Sequence, residues 1–91
     1  MTHVVFFRFA TPDQAVVAAE KLRGLLGVVP TLQSLEVGVD ELGSDRSWDL
    51  CLITRFANRA GMDSYQQHPA HLEVVSWLRE HATAIAAVDW S

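Results

Sequence analysis

The chain lacks several things, and each shortage narrows what it can be. It has one cysteine, Cys51, in 91 residues. A single thiol cannot close an internal disulfide, which excludes a stapled secreted scaffold and predicts a reduced, cytoplasmic setting. No apolar run approaches the roughly 20 residues a spanning helix needs. The start Met1-Thr2-His3-Val4 has neither the charged region nor the small-residue cleavage site of a secretory leader. Cations are few: seven Lys and Arg against eleven Asp and Glu, a net charge of −4, with no basic stripe. A phosphate-gripping nucleic-acid surface and a polybasic membrane patch are therefore not expected. There is no Pro/Gly/Ser-rich linker, low-complexity tract or long repeat. The five glycines stand apart and form no phosphate loop, and no serine sits in a nucleophile elbow.

What is plentiful is apolar surface. Hydrophobic residues make up 49% of the chain, and the mean hydropathy is +0.13. A domain of this size buries only about 60–65% of its unfolded surface. The excess predicts a second buried surface, most simply a subunit interface.

The periodicities predict one domain over 1–91. His3 to Phe9 is a strand with His3, Val5, Phe7 and Phe9 on one face and Val4, Phe6 and Arg8 on the other. Both faces are largely apolar, which places it centrally. Thr11-Pro12-Asp13-Gln14 reads as a capping box opening a helix to about Leu26, with Gly27 as its cap. Its stripe is Ala15, Ala18, Ala19, Leu22, Leu25 and Leu26. Leu32 to Val39 alternates as a half-buried strand, and Asp40 to Ser47 is a loop. Trp48 to Phe56 is a third strand with Trp48, Leu50, Leu52, Thr54 and Phe56 together. Asn58 caps a helix to about Gln67, His68-Pro69 interrupts it, and a second piece runs from Ala70 to Thr83. Ile85 to Trp90 closes the chain as a strand. The order β-α-β-β-α-β is the split plan of ferredoxin-like folds, an α+β class with an antiparallel sheet and helices on one face. The other face, with Val4, Phe6, Cys51 and Ile53 beside Arg8, Asp49 and Arg55, calls for a homodimer through the open sheet; the alternative is a weakly packed monomer.

Chemistry concentrates in the histidines and the one tyrosine. His71 leads the helical stripe His71, Val74, Val75, Leu78 and Ala82, which faces the sheet. The helix descends from the end of the third strand, so it returns His71 to the level of His3; Tyr65 lies six residues before His71, across a proline break that prevents a wheel calculation, and the geometry allows two imidazoles and a phenol to meet between sheet and helices. Each also has a bland role: packing for His71 and Tyr65, a strand edge for His3. His68 reads as a helix-start residue bonding free amides, His81 as solvated, and Cys51 as inert packing. His68-x-x-His71 has metal-ligand spacing, but no third ligand is evident.

His3-Val4-Val5-Phe6-Phe7-Arg8-Phe9, Leu35-Glu36-Val37-Gly38, Trp48-Asp49-Leu50, Tyr65-Gln66-Gln67-His68-Pro69-Ala70-His71 and Val88-Asp89-Trp90 together resemble the stress-responsive A/B barrel domain (Dabb) family, within the dimeric α/β barrels. The Tyr-x-x-His-Pro-x-His segment is the most specific part. The resemblance implies a ferredoxin-like protomer and a barrel-forming homodimer. A plant polyketide cyclase of the family folds a poly-β-ketone by intramolecular aldol condensation without a cofactor. Its acting residues fall on His3, Tyr65 and His71, and a further tyrosine of its first helix falls on Leu22. Carried over, this makes neutral His71 the base, Tyr65 the donor to the carbonyl gaining charge, and His3 the residue holding Tyr65 or the substrate oxygen. The pocket wall is then Val5, Phe7, Leu52, Val74, Val75 and Ile85. Three functions stand: a cofactor-free cyclase, lyase or isomerase on a carbonyl-rich molecule; a non-catalytic stress-type dimer or assembly; and a small-ligand binding module.

Overall fold

Hydrophobic alternation of period two builds the sheet. A computed structural model describes residues 1–91. Its elements are β1 (Thr2–Phe9), α1 (Pro12–Arg23), β2 (Ser34–Val39), β3 (Leu50–Arg55), α2 (Arg59–Gln67), α3 (Pro69–His81) and β4 (Ala82–Trp90). The strand order is β2-β3-β1-β4, with every pair antiparallel. This is the ferredoxin-like β-α-β-β-α-β arrangement, helices on one face. No helix is long and apolar enough to cross a membrane.

Register decides which side chains meet, because residues opposite one another on antiparallel strands share a face. His3 lies between Thr54 and Asp89, Val5 between Leu52 and Ala87, and Phe7 between Leu50 and Ile85. These three rows face the helices. Against them α1 lays Ala15, Ala18, Ala19 and Leu22, all buried at helical spacing. The small alanines leave little side chain between helix and sheet, and Leu22 adds the largest buried side chain of the helix. Met62 and Tyr65 of α2 and Leu78 of α3 complete the core. The opposite face carries Val4, Phe6, Arg8, Cys51, Ile53 and Val88 with no helix over it; Val88 is 58% exposed there.

Several local expectations are corrected. Thr11 makes no side-chain cap, and the Gln14 backbone amide bonds the Thr11 carbonyl instead; the capping box does not form, although Pro12 does open the helix. The helix stops at Arg23, three residues early. Beyond Gly24 the chain turns through Leu25 to Val29, and Gly27 takes φ +85°, a conformation that favours glycine. Leu25, Val29 and Leu32 are buried in this turn while Leu26 faces out.

The third strand begins at Leu50, not Trp48. Trp48 and Asp49 sit in a bend where alternation no longer applies. The Trp48 ring therefore lies on the helix-free face, 6.3 Å from Phe6 and under the Arg8 guanidinium at 4.3 Å. The Asp49 carboxylate accepts from the Phe9 amide at 2.7 Å, beside the register shift between Arg8 and Phe9 that interrupts pairing with β4. α3 ends at His81 and β4 starts at Ala82, three residues ahead of Ile85.

Candidate functional site

The site grows out of the break between α2 and α3. Pro69 has no amide hydrogen and disfavours the helical conformation in the residue before it. His68 accordingly takes φ −65°, ψ 135°, ends α2 and caps α3. Its Nδ1 accepts from the Ala70 amide at 3.1 Å, the helix-start role expected of it. That nitrogen is committed to the backbone.

A helix that ends leaves its last carbonyls without helical partners. The Gln66 carbonyl is one of these, and His71 Nδ1 lies 3.1 Å from it. A carbonyl oxygen only accepts, so Nδ1 carries the hydrogen. Nε2 is then the bare, basic nitrogen. Burial pushes the His71 pKa down from its usual value. The Gln66 bond opposes that shift, and the nearby His3 and His68 rings add to it.

Tyr65 lies against the inner side of the His71 ring, with centroids 4.2 Å apart, and 5.0 Å from Phe56 on its other flank. It is fully buried. Burial pushes its hydroxyl far above the ordinary phenol range, so the group stays protonated. The hydroxyl has no hydrogen-bond partner, an arrangement that costs stability in a dry interior.

Between α3 and the β1/β4 half of the sheet runs a groove of about 310 Å³. His3 and His71 both line it, with Val5, Phe7, Leu52, Val75 and Ile85 as walls. One residue assigned to this wall, Val74, and the expected donor, Tyr65, do not line it. Tyr65 sits behind His71 rather than in the opening. Val74 turns away because α3 carries two stripes: His71, Val75 and Leu78 face the groove, while Ala70, Val74 and Trp77 pack against the core. The second stripe also holds His81. It is half-buried rather than solvated, stacked 4.1 Å from Trp77 and donating from Nδ1 to the Trp77 carbonyl at 2.8 Å.

Sequence reasoning gave no role to Asp89, whose carboxylate Oδ1 is the partner of His3 Nδ1. The pairing follows from the β1/β4 register, which no sequence motif states. Gln66 and Arg79 on the groove wall were also unassigned. A larger depression of about 390 Å³ opens on the helix-free face beside Phe6, Trp48 and Cys51. It holds no imidazole or phenol. Its thiol is pushed up by burial and by the Glu36 carboxylate, which disfavours the reactive thiolate. The convergent acid–base groups lie in the groove.

The profile of the stress responsive A/B barrel domain matches residues 1–91. The chain belongs to the Dabb family. Among solved structures, this Dabb chain is similar to a dimeric ferredoxin-like protein of unknown function from Thermobifida fusca: 24% identity over 99% of this chain and 88% of that one, TM-score 0.86. A dimeric ferredoxin-like protein of unknown function from Bacteroides fragilis shares 23% identity over 99% and 93%, TM-score 0.85. The hydroxynitrile lyase of Passiflora edulis shares 20% over 98% and 89%, TM-score 0.83. At these identities the likeness is one of fold. No curated protein matches the Dabb chain in sequence.

The lowered His71 pKa sets a pH dependence. Above the ordinary histidine value near 6.5 the ring is neutral in both folded and unfolded chains and exerts no pull. As pH falls below that value the unfolded chain takes up the proton first, so stability falls with pH until the folded ring also titrates. NMR titration of the His71 ring should give a midpoint below 6.5, and the acid-side loss of stability should shrink in His71→Phe.

Proposed function

We propose that the groove is a cofactor-independent acid–base site for a small, carbonyl-rich molecule, with polyketide-cyclase-like aldol chemistry as its most specific form and lyase or isomerase chemistry as close variants. One observation carries the reading. The Gln66 carbonyl holds the hydrogen of His71 on Nδ1, which leaves Nε2 as a base on an apolar groove. A neutral imidazole at neutral pH suits removal of an acidic proton from carbon flanked by two carbonyls.

The step balances within one substrate. Nε2 takes the C–H proton and leaves an enolate. The enolate carbon attacks a second carbonyl carbon of the same molecule, forming a C–C bond. The resulting alkoxide recovers the proton from the His71 imidazolium. His3, its Nδ1 held by Asp89, offers its other nitrogen to a substrate oxygen. Tyr65 is a protonated, unpartnered donor. In the free chain it positions the His71 ring, and it would serve as donor only to a carbonyl that reaches past that ring. Leu22 puts apolar wall where the family's cyclase has a tyrosine, so the reading rests on one phenol rather than two. The Passiflora edulis relative, a lyase by name, supports chemistry in this fold.

The partner in this reading is a second copy, seated on the helix-free sheet face in a dimeric α/β barrel. Exposed Val88 and Trp90, half-buried Phe6 and the dimeric bacterial relatives support it. A cytoplasmic location goes with the free, half-buried thiol of Cys51.

Three experiments test the site and the assembly. With synthetic linear tri- and tetraketide esters, His71→Ala should lower turnover by at least about 100-fold, the usual worth of a general base, while leaving the dimer folded. Retained turnover would remove His71 from that role. Tyr65→Phe should fold at least as stably, since it deletes an unpartnered hydroxyl. For assembly, light scattering should give twice the 10.1 kDa chain mass, and Val88→Asp should shift the protein to monomer; a wild-type monomer at micromolar concentration would overturn the dimer.

A further inference from the structure

The far end of the groove from His3 carries Arg79, the one fixed cation on its wall, and no carboxylate lines the groove. Arg79 has no ion-pair partner. The ion pairs are His3–Asp89 and Arg59–Asp63, and the cations stacked on aromatics are Arg8 and Lys21. Its own helix offers nothing either: the residues three and four positions earlier are Ser76 and Val75, and α3 ends before the positions three and four residues later. Glu73 and Glu80 stand at spacings that do not face it. Arg46 and Arg55 are likewise without an ion pair, but of these only Arg79 stands on the wall of the apolar groove.

We propose, resting on the reading of the groove as a carbonyl site, that Arg79 selects substrates bearing a carboxylate at the end opposite the reacting carbonyl. His71 and Arg79 are eight residues apart on α3, about 12 Å along the axis. Helical side chains lean toward the N-terminus, so the guanidinium reaches back toward His71. On α3, Val75 and Leu78 lie between the two, and on the sheet the Val5/Leu52 row lies between His3 and the Phe7/Ile85 row. The groove thus reads in order: imidazole, apolar channel, guanidinium. A keto acid with an aliphatic middle matches that order, because the planar guanidinium pairs a carboxylate through two parallel hydrogen bonds. A neutral ketone or ester fills the channel but leaves the cation unanswered.

The test uses 7-oxooctanoate and methyl 7-oxooctanoate, titrated into full-length wild type, Arg79→Gln and Arg79→Lys while the His71 ring and neighbouring amide signals are followed by NMR. Arg79 is exposed, so its replacement leaves the core intact. Wild type should bind the acid about fivefold to tenfold tighter than the ester, as a solvent-accessible charge-assisted pair allows. Arg79→Gln should erase the preference by weakening the acid alone, and Arg79→Lys should restore part of it. Equal affinity for acid and ester in wild type, or a preference that survives in Arg79→Gln, overturns the role of Arg79 and leaves the groove as a site. If neither compound moves the His71 signals, the groove reading falls and this inference falls with it.

Discussion

Pro69 cannot donate a backbone hydrogen bond and drives His68 out of the helix, and the arrangement of the groove depends on that one constraint. Without the break, α2 and α3 would run on as a single helix, and the Gln66 carbonyl would be spent on the amide four residues ahead. With it, that carbonyl is free to fix the tautomer of His71, and the His68 ring takes over the exposed amide of Ala70. A backbone defect thus becomes the part that orients the base. Tyr65 supports the arrangement from behind at the expense of its own unpaired hydroxyl. Buried polar groups left without partners in this way concentrate where structure serves function.

The sheet supplies the other half. Its central strand β1 presents His3, Val5 and Phe7 to the helices and Val4, Phe6 and Arg8 away from them. A single strand therefore serves the groove and the open face at once. Alanine on α1 packs against the core, and Leu22 keeps the groove wall apolar. On the open face, the Trp48 ring lies beside Phe6 and beneath the Arg8 guanidinium, so that surface combines aromatic, aliphatic and cationic character.

The fold was legible in the sequence wherever one period governed a segment. Alternation gave β1, β2 and most of β3 with the correct faces, and the topology followed from their order. It failed at Trp48, where a bend replaces the strand, and at Leu26, where Gly24 and Gly27 turn the chain before the helical stripe is complete. The candidate site was legible in part. His3 and His71 reach the groove as their spacing predicted. Val74 does not, because α3 packs two stripes on two surfaces and a single-stripe wheel merges them. His81 followed the same second stripe to Trp77. Asp89 escaped because its pairing with His3 is a matter of strand register across 86 residues, which local pattern does not encode. Arg79 had a readable signal, the absence of any acid three or four positions away, but it acquires meaning only once the groove is seen beside it.

The proposed base depends on the hydrogen of one imidazole. Nitrogen-15 NMR of the His71 ring in the intact protein at neutral pH observes it directly. A base at this position requires a neutral ring with the proton on Nδ1, held by the Gln66 carbonyl, and an unprotonated Nε2. A ring protonated on Nε2 alone, or an imidazolium at that pH, would contradict it.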